Sequence, residues 1–431
     1  MANSNTVKIS MWGTTVGYLN QTGSGAASFQ YDKDFLASGI QIAPLRMPLS
    51  GVSYSFPSLP ENTYHGLPGL VADSLPDKFG SSLLNSYLAS IGKSSQDLTA
   101  AERLCYTGTR GMGALEYEPA QEIGEVGDSD ININELARVA EAILSQDESV
   151  SYEDKSGLIA QLMESSSSVG GARAKTLVAI HPATGEVKSG KIDAGEGYEH
   201  WLLKFGSIKT NSDKDAEPDE DGYTRIEYAY HLMARGAGVD MSECKLRVEG
   251  GCAHFMTRRF DRDLETGAKI HMQTLCAMDH MDFNQPRVYS YEQAFEVLRR
   301  LGLGYQAAVE LFRRMIFNDF ARNFDDHTKN ISFLMDKAGR WSLAPAYDLT
   351  YSYKPSSQWV SSHQMLIAGK SRGVTVDDML MVAKTVGIRK QDAIEVVEQV
   401  SACVARWPEY AEQAGVAEQK MQRISQELKS I

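Results

Sequence analysis

Several groups of residues in this chain have the types and spacing needed to move a phosphoryl group. The densest is the stretch Asn318 to Asn330, N-D-F-A-R-N-F-D-D-H-T-K-N, which sets Asp325 and Asn330 five positions apart. An apolar helical run precedes it and apolar Ile331 to Leu334 follows. A plain turn needs only two or three Gly, Asn or Pro residues. So much polar density between buried elements points either to a metal-bound phosphate or to an unusually charged connection. A second carboxylate, Asp348, follows a β-hairpin pattern. Upstream lie a strand-like W-L-L-K-F with Lys204 in it and a Ser/Gly-rich segment, Ser165 to Lys175, running into a β-rich stretch. Phosphoryl transfer from ATP uses such parts. Loop N–H groups cover the phosphates, a lysine neutralises their charge, a carboxylate orients the acceptor hydroxyl, and an Asn and an Asp hold Mg²⁺. The D-x-x-x-x-N interval is that of a protein-kinase catalytic loop.

Each part also has a plainer structural reading. Gly170-Gly171 alone marks a turn, and no G-x-x-x-x-G-K-[ST] is present, so it is not a P-loop. A strand lysine such as Lys204 serves at sheet edges or snorkels. Glu227 is the fourth residue of Thr224-Arg225-Ile226-Glu227, a capping-box pattern, and capping accounts for it as well as a pairing with Lys204 does. Asp348, three residues after Pro345, could form a turn. The phosphoryl-transfer reading rests on all of them occurring together and in this order.

The elements that must position these residues are legible in outline. Val7 to Trp12, Val16 to Asn20 and Ser28 to Tyr31 are short β-rich runs with a hairpin turn at Gly13. Ile40 to Leu49 carries two prolines, so a strand there lies at an edge. The spacing predicts helices at Leu83–Ile91, Asn132–Gln146, Thr224–Gly236, Ser290–Leu301 and Tyr305–Phe320, and a helical pattern from Thr375 onward. Strands are expected at Thr176–Ile180, Trp201–Phe205, Lys245–Val248, Ala253–Arg259, Ile331–Met335 and Trp341–Leu343. Phe260-Asp261-Arg262-Asp263 reads as a strand end entering a polar loop, and Asp213 to Asp221 as an acidic, solvated one.

The totals restrict the function classes. With 431 residues there is room for two or three domains. No run of 18 apolar residues spans a membrane, and Met1 to Ser10 has no apolar signal core. Five scattered cysteines, none in a C-x-x-C pair, read as reduced thiols and a cytoplasmic setting. A net charge of −13 argues against broad non-specific nucleic-acid binding by this chain alone.

Taken together, S-V-G-G-A-R-A-K-T from Ser168, W-L-L-K-F, E-Y-x-Y-H-L-M-A-R-G-A-G-V from Glu227, R-F-D-R from Arg259, D-D-H-T-K-N-I-S-F and L-A-P-A-Y-D resemble the HipA family over most of the chain. That family comprises serine/threonine-protein kinases acting as toxins of type II toxin–antitoxin pairs. The resemblance implies an α+β, bilobal, protein-kinase-like fold. Its expected parts are an N-terminal subdomain over 1–125, a kinase N-lobe over 126–260 and a helical C-lobe over 261–431. Asp325 is implied as catalytic base, Asn330 and Asp348 as Mg²⁺ ligands, and Lys204 as the ATP-phosphate lysine. Ser168, Val169, Gly170, Gly171, Ala172, Arg173 and Lys175 would cover the phosphates, and the Arg258–Phe260 backbone would read the adenine edge. Glu227 would support Lys204. His327 and Lys329 would be phosphate neighbours or loop structure, while Asp319 and Asp326 receive no role. Ser168 matches the loop serine that family members autophosphorylate, adding negative charge where ATP phosphates sit. The implied partners are a HipB-like helix-turn-helix antitoxin, operator DNA reached mainly through it, and an aminoacyl-tRNA synthetase as substrate.

Two other readings differ in class. A pseudokinase scaffold in a repressor complex would leave the filled nucleotide and metal positions without a use. A metal-dependent hydrolase built on Asp325, Asp326 and His327 would leave Lys204 and the Gly170-Gly171 loop unexplained.

Overall fold

A computed structural model describes residues 6–23, 25–96, 98–123, 132–145, 156–166, 173–190, 194–206 and 222–429. The acidic stretch at 213–221 and residues 167–172 lie outside them. Contacts divide the chain into two compact units. One holds Met1–Asp221, Arg247–Met272 and Asp336–Gly339; the other holds Gly222–Leu246, Gln273–Met335 and Arg340–Ile431.

In the first unit a four-stranded antiparallel sheet runs in the order Ser28–Tyr31, Thr14–Asn20, Thr6–Met11, Leu115–Glu118. Its first hairpin turns on two residues with positive φ, Trp12 at 52° and Gly13 at 77°. Two such residues give the turn whose twist matches paired strands. The Ile40–Leu49 run forms no strand. The sheet is completed instead by Leu115–Glu118, a contribution the sequence reading missed because its partner lies a hundred residues away.

A five-stranded sheet follows, in the order Val187–Ser189, Lys175–Ile180, Glu199–Lys204, Cys252–Arg258, Cys244–Glu249. Helices Lys78–Ser90, Ile133–Ser145 and Ser156–Ser166 join its core. Phe79, Leu84, Leu136, Leu162, Val178, Trp201 and Met256 are all buried in one cluster. Removing that apolar surface from water is the main favourable term in this unit. The serine tract is not all loop: its first members end the Ser156–Ser166 helix, where Ser165 Oγ meets Thr176 Oγ1 at 2.6 Å.

Phe260–Asp263 adds something its sequence reading did not hold. The strand ends at Arg258 and the polar segment follows, but that segment is not exposed: Asp261 is completely buried. The carboxylate accepts from Arg259 Nε at 2.9 Å and Nη2 at 2.6 Å, from Arg262 Nη1 at 3.0 Å and from the Gly113 N–H at 2.8 Å. Burial alone would raise its pKa, but the two guanidiniums hold it well below the usual carboxylate range.

The second unit is mainly helical. Tyr223–Gly236, Tyr305–Phe320, Lys390–Val404 and Trp407–Ala414 carry its packing. Tyr230 sits edge-on to Phe317 and Trp407, with ring centroids 6.2 and 5.3 Å away, and donates its hydroxyl to the Ala321 carbonyl at 2.6 Å. Gly236 leaves room for the Tyr410 hydroxyl: a Cβ there would lie 2.5 Å from Tyr410 Oη, so that ring would have to shift to admit one. A capping box at Ser290/Gln293 starts its helix as the sequence predicts, and a second, at Thr375/Asp378, opens the helical stretch expected from Thr375. The expected box at Thr224/Glu227 does not form. The helix begins at Tyr223 with Gly222 as N-cap and no side-chain cap bond. With the N-cap two residues earlier than expected, Thr224 falls inside the first turn, where its hydroxyl is no longer at the capping position. Past the polar loop that follows the helix Tyr305–Phe320, strands Ser332–Met335 and Trp341–Leu343 pair as an antiparallel hairpin.

Asp261→Asn leaves two buried guanidiniums without their counter-charge. It should lower the stability of the chain by about 3–5 kcal/mol in urea unfolding, as breaking a buried ion pair does; a change under about 1 kcal/mol would show that the cluster is not the constraint described.

Candidate active site

The polar loop is built from the end of the helix Tyr305–Phe320. Asn318 and Asp319 occupy its last turn and are buried, unlike ordinary helix-terminal polar residues. The chain then reverses at Arg322, with φ 54°, reaches Asp325, and makes a 3₁₀ turn over Thr328–Asn330 before strand Ser332–Met335. Asn330 folds back on the loop: its Nδ2 donates to the Asp325 carbonyl at 2.8 Å. That bond orients the amide, so Oδ1 is the group left to act as a hard oxygen ligand. Beyond the hairpin, Asp348 takes a left-handed backbone conformation with φ 53°. For a non-glycine residue this costs roughly 1–3 kcal/mol and persists where the surroundings impose it, commonly at functional sites.

Asp325 itself is accessible, with 44% of its side chain exposed. Its neighbour Asp326 is not; only 3% of that residue is exposed. Asp326 accepts from His363 Nδ1 at 2.7 Å, from the Gln364 N–H at 2.7 Å and from the Tyr291 hydroxyl at 3.0 Å. The other face of the His363 ring donates from Nε2 to Asp319 at 3.0 Å, and Asp319 also receives the Lys429 ammonium. Asn318 Nδ2 donates to the Tyr291 hydroxyl at 2.9 Å, and Asn323 Nδ2 to Asn318 Oδ1 at 2.9 Å. Burial pulls the His363 imidazole down, but the carboxylates of Asp326 and Asp319 more than reverse this and hold it at about 9. The ring is therefore an imidazolium at neutral pH. Two buried anions meet two cations, so the loop is neutral where it is dry. Burial likewise favours the neutral Asp319 carboxyl, and His363 and Lys429 overcome it, leaving its pKa below the ordinary value.

Other site residues divide clearly. His327 Nε2 is 3.8 Å from Asp325 Oδ1, and its ring lies 5.4 Å from Phe283. Lys329 Nζ sits 4.7 Å from the same Phe283 ring. In the first unit, Lys204 ends its strand, half-buried, with Nζ 5.8 Å from the Phe255 ring. Arg258 pairs with Glu199 at 3.3 Å, while Phe260 is half-buried. The Arg259 N–H already donates to the His200 carbonyl at 2.9 Å, so of the expected hinge amides that one is engaged. Lys175 departs from its expected role. It is 1% exposed and its ammonium is 3.1 Å from Asp77, which also caps the helix Lys78–Ser90. A lysine so enclosed is a counter-ion for Asp77, not a phosphate ligand in this arrangement. Arg173 is half-buried at the edge of the described residues; Ser168, Val169, Gly170, Gly171 and Ala172 lie outside them. Glu227 is 1% exposed inside its helix, and capping no longer accounts for it.

Sequence reasoning missed Tyr291, His363, Gln364 and Lys429 entirely. None belongs to a spaced motif, and all reach the loop from distant segments. The buried Asp319 and Asp326 were the available signal, since two extra carboxylates beside apolar runs require cations from elsewhere.

The profile of the HipA-like C-terminal domain matches residues 167–407, and that of the HipA N-terminal domain matches residues 7–118. The chain belongs to the HipA family. Among solved structures, HipA of Shewanella oneidensis MR-1, in a complex with HipB and operator DNA, superposes with a TM-score of 0.63. That match covers 98% of this chain and 94% of that one at 14% sequence identity, so what it shows is a shared fold. The proinflammatory kinase CtkA of Helicobacter pylori is 9% identical, with 53% of this chain and 92% of that chain covered and a TM-score of 0.29. No curated protein sequence matches. The HipA fold is the α+β, protein-kinase-like class that the motifs imply. Among the described residues no helix is long and apolar enough to cross a membrane, and no cluster of three His, Cys, Asp or Glu residues could hold a metal.

His363 ties the loop's stability to pH. Its folded pKa of about 9 stands above the ordinary 6.5, so its contribution is complete below 6.5 and is lost as pH rises through 9. The shift corresponds to about 3 kcal/mol. Urea unfolding of the native chain should weaken from pH 6.5 to 9.5 by an amount that His363→Gln abolishes; equal pH slopes in the two proteins would refute the charged imidazole.

Proposed function

We propose that this HipA-family chain is an ATP- and Mg²⁺-dependent serine/threonine-protein kinase, the toxin of a HipA/HipB-type toxin–antitoxin pair. The observation that carries this reading is the Asn330 amide turned onto the Asp325 backbone, with an accessible Asp325 carboxylate and a left-handed Asp348 beyond the hairpin. The donor set fits a hard cation: an amide oxygen and a carboxylate suit Mg²⁺, and no thiolate or imidazole is needed. Bound there, Mg²⁺ would neutralise charge on the ATP phosphates.

The chain's own residues supply the rest. Asp325 accepts the proton of the acceptor serine or threonine hydroxyl as its oxygen attacks the γ-phosphorus and the bond to the ADP oxygen breaks. Asn330 holds Asp325 in register through the backbone. Lys204 brings positive charge to the phosphates, with Glu227 as its supporting carboxylate. The segment 168–173 covers them, His327 and Lys329 lie near them, and the Arg258–Phe260 strand end reads adenine. Ser168 is the autophosphorylation site, where added negative charge would oppose ATP binding.

The family resemblance extends this reading to partners and place. The substrate is a protein of the translation machinery, an aminoacyl-tRNA synthetase, whose phosphorylation would stall growth and induce dormancy in the cytoplasm. The partner is a HipB-like helix-turn-helix antitoxin. The pair represses its own operon and reaches operator DNA mainly through the antitoxin, in keeping with the −13 charge of this chain.

Asp325→Gln should reduce phosphoryl transfer by at least about 10²-fold, the size of a general-base contribution, and relieve growth arrest. Its Mg-ATP affinity by titration calorimetry should stay within about twofold of the native chain. Asp348→Asn should instead weaken Mg-ATP binding itself. Unchanged phosphorylation in Asp325→Gln would sink the kinase assignment, and absence of Mg-ATP binding in the native chain would favour a scaffold.

A further inference from the structure

Gln364 stands where no motif placed it. Its Nε2 donates to Asp325 Oδ1 at 2.6 Å. It is 4% exposed, so the side chain is enclosed, whereas the carboxylate it holds is open to solvent. Its backbone is held as firmly: the Gln364 N–H donates to Asp326 Oδ1 at 2.7 Å, and Asp326 is itself held by His363 and Tyr291. The amide orientation follows from chemistry. An ionised carboxylate only accepts, so the NH₂ faces Asp325 and the carbonyl oxygen faces the other way. There, Oε1 is buried and has no hydrogen-bond partner among the described residues. An orphaned buried acceptor is unfavourable, and such groups in native structures call for an explanation.

We propose that Gln364 is a positioning residue for the Asp325 carboxylate, resting on the kinase reading above. A carboxylate with 44% exposure is free to rotate about its last torsion unless something holds it. Gln364 grips Oδ1 and presents the second oxygen in a constant direction toward the acceptor hydroxyl. Asp326, His363 and Tyr291 are the frame that keeps the grip rigid. The unpaired Oε1 is the consequence: the amide is kept for its donor although its acceptor is wasted. This separates function from stability, because a side chain retained for packing would not be expected to leave a polar atom unsatisfied.

The test is Gln364→Met, which keeps the length and shape but removes donor and orphan acceptor together. Three quantities are read beside the native chain and Asp325→Gln: kcat for phosphorylation of a protein substrate or the chain itself, the Kd for Mg-ATP, and the melting temperature. The expected result is a kcat about 10- to 100-fold lower, the range that loss of geometry in a reacting pair produces. Mg-ATP affinity should remain within twofold of the native value, and the melting temperature should be unchanged or higher. Gln364→Glu, which sets a second carboxylate against Asp325, should lower kcat further and serves if the Met variant does not fold. A native-like kcat in either variant, or a kcat loss that follows a fall in melting temperature, overturns the proposal and leaves the kinase reading standing. A native chain no more active than Asp325→Gln overturns the kinase reading and this proposal with it.

Discussion

The loop that carries Asp325 depends on one buried cation. His363 lies between Asp326 and Asp319, with each ring nitrogen on a carboxylate. Remove that charge and two anions face each other in a dry interior, where each would be strongly unfavourable. The imidazolium does more than neutralise them. Its two nitrogens point in opposite directions, so it ties the end of the helix Tyr305–Phe320, through Asp319, to the loop that carries Asp325, through Asp326. Lys429 supplies the second cation and brings the last described segment of the chain to the same point. A loop of this polarity would otherwise remain solvated and mobile.

That constraint accounts for an inequality between two adjacent carboxylates. Asp325 and Asp326 are identical in chemistry and neighbours in the chain. One is saturated with donors and buried, and the other stands open beside Gln364 and His327. The buried one fixes the backbone; the open one is the carboxylate to which the proposed kinase reading gives the acceptor hydroxyl. Asn330 adds a tie of its own, from side chain to the Asp325 carbonyl. Side-chain geometry of this kind is set by neighbours whose own rotamers cannot move.

The first unit shows the same economy of charge. Lys175 is spent on Asp77, and Asp261 gathers Arg259, Arg262 and the Gly113 amide into one buried cluster. In both places a residue that looks like a ligand in one dimension is a structural counter-ion in three. Lys175 sits within a loop-to-strand pattern that suits phosphate binding, and nothing about its position in the chain announces Asp77, ninety-eight residues earlier.

Local pattern was enough for much of this protein. The hairpin at Gly13, the capped helices at Ser290 and Thr375, the long helix to Phe320 and the hairpin from Ile331 follow from turn chemistry and periodicity, which act over a few residues. The D-x-x-x-x-N interval was legible for the same reason, since Asn330 bonds to a backbone group five residues away. What only the tertiary structure decided depends on distant partners. Leu115–Glu118 completes the first sheet, Glu227 loses its capping role when the N-cap falls two residues sooner, and Asp319 and Asp326 acquire a purpose from His363, Tyr291 and Lys429. Hydrogen bonds and ion pairs between segments far apart leave no periodic trace in a sequence, because folding, not spacing, brings those groups together.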